Sequence, residues 1–435
     1  MDLADAVVTP GATGARQTPP APRAVARPRA TTRPARQSSL REHNLGLVLR
    51  EIVDCPTPPT RARIAEAVGL TKATVSELVD LLVAARLVVE LAPQSGERAG
   101  RPGVPLAPAP RAVVGLGLEA QVDHVAVRVV DLAGVTLFER LVEGDFGNSD
   151  PGATLRRLLR VVEPVARQAK GQGCVIAGAC ISVPGLTRRG SGVVRYAPNL
   201  GWEEVDVAAL LSKSPVLQGI SVYVGNDADL GALAEARIRS RLAGVPRTDQ
   251  SFLFLTGEVG IGGAIVLGGE LVSGMHGWSG EIGHLVVEPQ GPQCGCGSRG
   301  CLEVYAGKRA LLRRAGLPAT AGVDALGEAV ERGDSAANAA IIEASDALGL
   351  AVSNAINLID VDRIVVGGAY APLFELLAPG MHRHLATRVI SRRWMPVEVE
   401  AAVSGELASL TGAALRVIDD IVDHPASWVA TASGG

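Results

Sequence analysis

The stretch GEIGHLVVEPQGPQCGCGSRGCLE, residues 280–303, places His284, Cys294, Cys296 and Cys301 within eighteen positions of one another. Four soft donors separated by glycine-rich turns can fold around a tetrahedral ion, and three thiolates with one imidazole form a shell that suits zinc. All four positions would be filled by protein, so the metal is expected to be structural. A disulfide is the competing reading. Against it, three cysteines leave one unpaired, and the absence of a secretory pattern at the N-terminus leads us to expect a reducing cytoplasm. Cys55, Cys174 and Cys180 lie in apolar or Pro-rich contexts and read as packing residues. Glu281 and Glu303 flank the motif; a metal-fixed backbone would hold both as acceptors for the hydroxyls of a polar ligand, although either alone reads as a surface charge.

Outward from this motif the pattern is strand and helix in alternation. Residues 113–118, 125–131 and 135–138 look like a meander, followed by a helix near 155–169 and a buried strand at 174–183. Further strands are expected at 221–224, 252–255, 260–267 and 363–366, with long helices near 336–358. The expected class is an α/β body with mixed sheets, and the recurrence of meander, helix and strand predicts two related lobes. Asn226-Asp227 follows a strand and opens an Ala-rich helix. Asp227 reads as a general base, as an acceptor for a hydroxyl, or as part of a helix cap. Gly260-Ile261-Gly262-Gly263 and Gly367-Gly368 read either as phosphate-approaching turns or as tight strand connections.

The 435 residues are 47% apolar, which excludes full disorder and requires more than one domain. No run of eighteen residues is apolar without charges or turn formers, so no membrane span is expected. The net charge of −3 hides an asymmetry: residues 1–111 carry 15 Arg or Lys against 10 Asp or Glu, leaving the remainder acidic. A basic front on an acidic body suggests a polyanion-binding segment. Residues 1–40, rich in Pro and Arg, read as a disordered basic tail. From Asn44, taken as an N-cap, a helix is expected with Leu45, Val48, Leu49, Ile52 and Val53 on one stripe. A second helix at 60–68 closes at Gly69, and Thr71 caps a third carrying Val75, Leu78, Val79 and Leu82. Short helix, glycine turn and capped helix form a helix-turn-helix. Residues 87–90, a basic loop at 94–103 and the resumption at 104–106 have the shape of a wing. Thr71, Lys72, Thr74 and Ser76 are expected to meet a major groove, and Arg98 and Arg101 the backbone or a minor groove.

Taken together these residues resemble the ROK family of repressors, open reading frames and sugar kinases, from about Arg41 to Asp420. The resemblance implies a two-lobed actin-like, hexokinase-type fold behind a winged helix-turn-helix. The implied divisions are a tail at 1–40, a DNA-binding domain at 41–110 and lobes at 111–224 and 225–435, with the C-terminal helix returning to the first lobe. It implies zinc on His284, Cys294, Cys296 and Cys301. It also implies a sugar site lined by Asn226, Asp227, Glu281, His284 and Glu303, supplemented by Gly185 and Asn199. Kinases of the family carry Asp-x-Gly-Gly-Thr at the first hairpin. Here Gly117 stands for the Asp and Glu119-Ala120 for the glycines, while Glu258-Val259-Gly260 replaces a Gly-Thr-Gly. Glu258 would set a negative charge beside a polyphosphate. The expectation is therefore a sugar-responsive repressor, homodimeric or homotetrameric on an operator, that uses no ATP. The alternatives are an ATP-dependent sugar kinase with a DNA-binding appendage, and an activator or constitutive DNA-binding protein with a vestigial sugar site.

Overall fold

The computed structural model describes residues 37–92, 103–188 and 190–433, so the tail at 1–36 and the wing tip with Arg98 and Arg101 lie outside the described residues. The N-terminal unit comprises α1 (Gln37–Asp54), α2 (Arg61–Val68), α3 (Lys72–Ala84) and the antiparallel strands β1 (Val88–Glu90) and β2 (Leu106–Pro108). Helix α1 begins before Asn44, which sits in mid-helix; the Ser-Ser-Leu-Arg-Glu-His run carries good helix formers and nothing that stops a helix. The other two helices start where their caps require. Thr60 Oγ1 accepts from Arg63 N and Thr71 Oγ1 from Thr74 N, while Gly69, at φ 69°, ends α2 in the left-handed conformation.

The apolar stripes of these helices close on one core of Leu49, Ile52, Ile64, Val75, Leu78, Val79 and Leu82. That core does not stop at the unit. It continues into Ile418, Ile421 and Val422 near the C-terminus, so the helix-turn-helix shares its interior with the body.

The first lobe is built on β3 (Val113–Ala120), β4 (His124–Asp131), β5 (Thr136–Glu143), α4 (Pro151–Gly171), β6 (Val175–Val183) and, after the small sheet β7 (Leu186–Thr187), β8 (Val193–Ala197) and β9 (Trp202–Asp206), on α5 (Val207–Leu211) and β10 (Ser221–Asn226). Helix α6 (Asp227–Ala243) leads to the second lobe: β11 (Phe252–Gly257), β12 (Ile261–Leu267), β13 (Glu270–Leu271), α7 (Glu303–Ala306), α8 (Lys308–Arg314), α9 (Asp324–Glu331), α10 (Ser335–Ile359), β14 (Arg363–Gly368), α11 (Phe374–Arg388) and β15 (Glu398–Ala401). The chain ends in α12 (Ala408–Asp423) and α13 (Ala426–Ser433).

The two five-stranded sheets run β5-β4-β3-β6-β10 and β13-β12-β11-β14-β15. Each is an antiparallel meander extended by two parallel strands, which is the repeat the strand pattern anticipates. Gly262 and Gly263 lie in β12 and Gly367 and Gly368 end β14, so both glycine pairs are strand positions. Helix α4 covers one face of the first sheet and α12 the other, while α10 and α11 share a core with β11 and β14 of the second sheet. By length and composition α10 could cross a bilayer, but Ala344, Leu348, Ala351 and Val352 bury it in the second core.

Gly117 owes its presence to this packing. A Cβ there would come within 2.9 Å of Ala414 N and closer still to the Leu410 carbonyl, because α12 lies against the first strand.

Candidate functional site

The ligating atoms of His284, Cys294, Cys296 and Cys301 all lie within 4.8 Å of one another. Cys296 and Cys301 sulfurs are 3.7 Å apart, and Cys294 Sγ is 3.8 Å from His284 Nδ1. With zinc–sulfur bonds of about 2.3 Å, the edge of a tetrahedron is roughly 3.7 Å, so these two separations match neighbouring ligands of one zinc ion. Tight backbone turns make this possible: Cys294 N donates to the Ser298 carbonyl at 2.9 Å, and Gly297 N to the Cys294 carbonyl at 3.1 Å. The 3.7 Å between the Cys296 and Cys301 sulfurs is the spacing of two ligands on one ion rather than the roughly 2 Å of a disulfide. A bound ion would supply no chemistry of its own here; it would tie the loop after β13 to the start of α7.

Beside this centre, a cavity of about 350 Å³ opens between the lobes, and Gly185, Asn199, Asn226, Asp227, Glu281, His284 and Glu303 all line it. Every residue expected in the sugar site is thus brought to one place, although they come from five separate segments of the chain. His284 faces the metal cluster with Nδ1, leaving Nε2 for the cavity. Glu303 Oε2 accepts from Ile261 N at 3.4 Å, which joins α7 to β12 across the site. Asn226 is partly committed to structure: its Oδ1 caps α6 through Asp229 N at 3.1 Å and its Nδ2 donates to the Gly185 carbonyl at 3.0 Å. One N–H of its amide remains for a ligand.

Asp227 is 8% exposed at the cavity floor. Its Oδ1 accepts from Ala228 N at 2.9 Å and its Oδ2 from Gln121 Nε2 at 3.2 Å. Burial pushes its carboxyl up to about 6; Glu119 and Glu281 add to the rise, while the two hydrogen bonds oppose it. Gln121 escaped notice as a site residue because no local pattern links it to Asp227.

The altered hairpin is filled from within. Glu119 is buried, accepts from Ser409 Oγ at 2.5 Å and lies 3.2 Å from His124 Nε2. Burial alone would lower His124, but its bonds to Asp123 and Glu119 and their charges hold the imidazolium up to about 10. For Glu258, burial, then the charges of Asp227, Glu119 and Asp123, push the carboxyl well above the usual range. Like-charged neighbours and burial thus both disfavour a full negative charge on Glu258, which lines the cavity with Asp227.

In the N-terminal unit, Lys72 is exposed at the start of α3, whereas Thr74 and Ser76 are half-buried. The Thr71 and Thr74 hydroxyls are 2.9 Å apart and bond to each other. The outward face of α3 carries Ala73, Glu77 and Asp80, with Glu77 paired to Arg41 and Asp80 to Arg61. Thr71 and Thr74 are therefore engaged in capping, and Lys72 is the cation this end of α3 presents. Arg61 also bonds to Glu90, tying α2 to the first strand of the wing.

Residues 115–420 match the sequence model of the ROK family. The xylose repressor of Caldicellulosiruptor bescii is 27% identical over 401 residues, covering 89% of this chain and 98% of that protein. The glucokinase of Thermotoga maritima is 30% identical over 316 residues, covering 66% of this chain and 95% of the kinase. The crystal structure of a ROK family transcriptional regulator, a homolog of the E. coli MLC protein, superposes with a TM-score of 0.74 at 24% identity. It covers 90% of this chain and 98% of the regulator, and shows the same fold.

Proposed function

This chain belongs to the ROK family, and on that premise we propose that it is a sugar-responsive DNA-binding transcriptional regulator that acts as a repressor. The observation that carries this reading is the reach of the repressor likeness: it spans 89% of the chain, whereas the kinase likeness spans 66%. The difference matters because the family model begins at residue 115, behind the helix-turn-helix.

The reader comprises residues 41–110, and the lobes at 111–224 and 225–435 hold a sugar between them. Asp227, Glu281 and Glu303 accept from sugar hydroxyls, Asn199 and Asn226 donate, and His284 contributes Nε2 while its Nδ1 serves a structural zinc with Cys294, Cys296 and Cys301. Lys72 reads DNA with Ser76, and Arg98 and Arg101 of the wing contact the backbone or minor groove. Two readers joined in a homodimer or homotetramer reach operator half-sites, as a single small reader would bind too weakly alone. The protein works in the cytoplasm. It transfers no phosphate, because Glu258 and the Glu119–His124 pair replace the glycine-rich loops that would approach a polyphosphate, and no acid stands at Gly117 to hold a magnesium ion.

Two measurements test this. Binding of the full-length protein to DNA flanking its own gene, followed by fluorescence anisotropy, should weaken when D-xylose or D-glucose is added. A coupled ADP-release assay with the same sugars should show no turnover; turnover that Asp227→Asn abolishes would instead favour the kinase reading. DNA binding that no sugar alters would favour a vestigial site.

A further inference from the structure

Helix α6 runs from the cavity to the foot of the helix-turn-helix. Asp227 is its first residue, and Arg237 lies ten residues further, about 15 Å along the axis. Arg237 is 4% exposed, yet its guanidinium is only partly satisfied. Nη1 donates to Asp419 of α12 at 3.0 Å, and Nη2 stands 3.9 Å from Asp54 Oδ1 at the end of α1. Its Nε and Nη2 have no hydrogen-bond acceptor among the described residues. A buried guanidinium with unused N–H groups is costly, and a closed N–H···O contact to Asp54 would need an approach of only about 1 Å.

The surroundings concentrate on the same junction. Arg241 Nη2, also on α6, donates to the Val53 carbonyl at 3.3 Å, and Arg50 of α1 pairs with Asp423 of α12. Ile418, Ile421 and Val422 of α12 complete the core beneath α1. The two helices are also locked to each other: a Cβ at Gly412 would fall against the Leu230 carbonyl, with Leu230 Cα at 3.0 Å. At the far end both reach the cavity, α6 through Asp227 and α12 through the Ser409–Glu119 bond into the hairpin that carries Gln121.

We propose that Arg237 is a positioning residue for the DNA-reading unit, through which a sugar held at Asp227 moves the seat of α1. The α6–α12 pair shifts as one body, and Arg237 exchanges between its open approach to Asp54 and a closed ion pair. Two discrete arrangements of one buried cation provide the two-state element that linkage between distant sites requires. This inference rests on the sugar-responsive reading above.

The test uses the full-length, zinc-loaded protein with D-xylose and D-glucose as probes. Sugar affinity is measured by calorimetry, and affinity for the gene-flanking DNA by anisotropy with and without sugar. In the wild type a coupling of about 5- to 150-fold is expected. In Asp54→Asn and Arg237→Gln, sugar and DNA should each still bind, but the ratio of DNA affinities with and without sugar should fall to about one. Arg237→Lys, which keeps the charge, should restore part of the coupling, and Ser409→Ala at the opposite end should reduce it. Unchanged coupling in Asp54→Asn would overturn the positioning role, whatever happens to the melting temperature. If the Arg237 variants fail to fold, the half-buried Asp54 decides the matter alone. A wild type whose DNA affinity no sugar alters would overturn the functional reading and the inference with it.

Discussion

Gln121 donates its side-chain amide to Asp227 Oδ2 at 3.2 Å, a buried bond between residues 106 positions apart. Gln121 falls at the last position of the hairpin motif that the kinase resemblance aligns here, and in this chain it is a strut on the acid at the cavity floor. The hairpin braces its surroundings at two points, with Gln121 on Asp227 and Glu119 on Ser409.

Burial of the braced acid, against the opposing pull of the strut, predicts a defined pH dependence for sugar binding. With its carboxyl raised to about 6, Asp227 is an ionised acceptor above pH 6 and a neutral acid below it. Sugar affinity should therefore fall as pH drops through 6, by up to about tenfold for the loss of one charge-assisted bond. The same shift acts on stability in the opposite sense. Between the unfolded value near 4 and the folded value near 6 the native state holds the extra proton, so raising the pH across that window costs up to roughly 3 kcal/mol. Asp227→Asn should remove both effects; titration calorimetry from pH 5 to 7 that shows constant wild-type affinity would contradict the assignment.

Restoring the kinase acid should fail. Gly117→Asp drives a Cβ into the backbone of α12 at Leu410 and Ala414. Overpacking against backbone typically costs 1–3 kcal/mol or more. The variant should lose several degrees of melting temperature and gain no ADP release with any sugar. A stable variant with sugar-dependent turnover would show that the strand and α12 can separate.

Metal removal should affect the two halves of the protein unequally. Chelation, or Cys296→Ser, frees the loop that holds His284 beside Glu303, so sugar affinity should drop at least tenfold. The reader's core of Leu49, Val75 and Leu82 contains no part of this loop, and non-specific DNA binding should persist. Paired calorimetry and anisotropy on the same metal-depleted sample check this. Equal loss of both would point to global unfolding instead.

DNA contact by Lys72 and Arg101 should be separable by salt and sequence. Arg101→Ala should weaken operator and random DNA alike and lower the salt slope by about one, as a lost phosphate contact does. Lys72→Ala should cost about 1–3 kcal/mol on operator DNA if the lysine reads a base edge, and less on random DNA. Anisotropy across a salt series with both DNAs distinguishes the two patterns; a loss for Arg101→Ala confined to one base position would contradict its role.

Much of this architecture is written in short-range patterns. Donor spacing from His284 to Cys301 reads as a tetrahedral shell, Thr60, Gly69 and Thr71 mark the ends of two helices, and the alternation of meander, helix and strand foretells two like sheets. Each signal arises within about twenty residues, where backbone geometry directly links spacing to shape. Asn44 shows the limit of that reasoning, because an acceptable cap does not start a helix when the residues before it also favour one. The sequence by itself thus determined the Cys3His cluster, the helix-turn-helix and the strands of a two-lobed body. Only the tertiary structure decided that Gln121 braces Asp227, that Glu258 is pressed toward its neutral form, and that Arg237 stands between Asp419 and Asp54. Those relationships depend on how far each group is removed from water and on which distant segment fills the space beside it, and neither is set by neighbours in the chain.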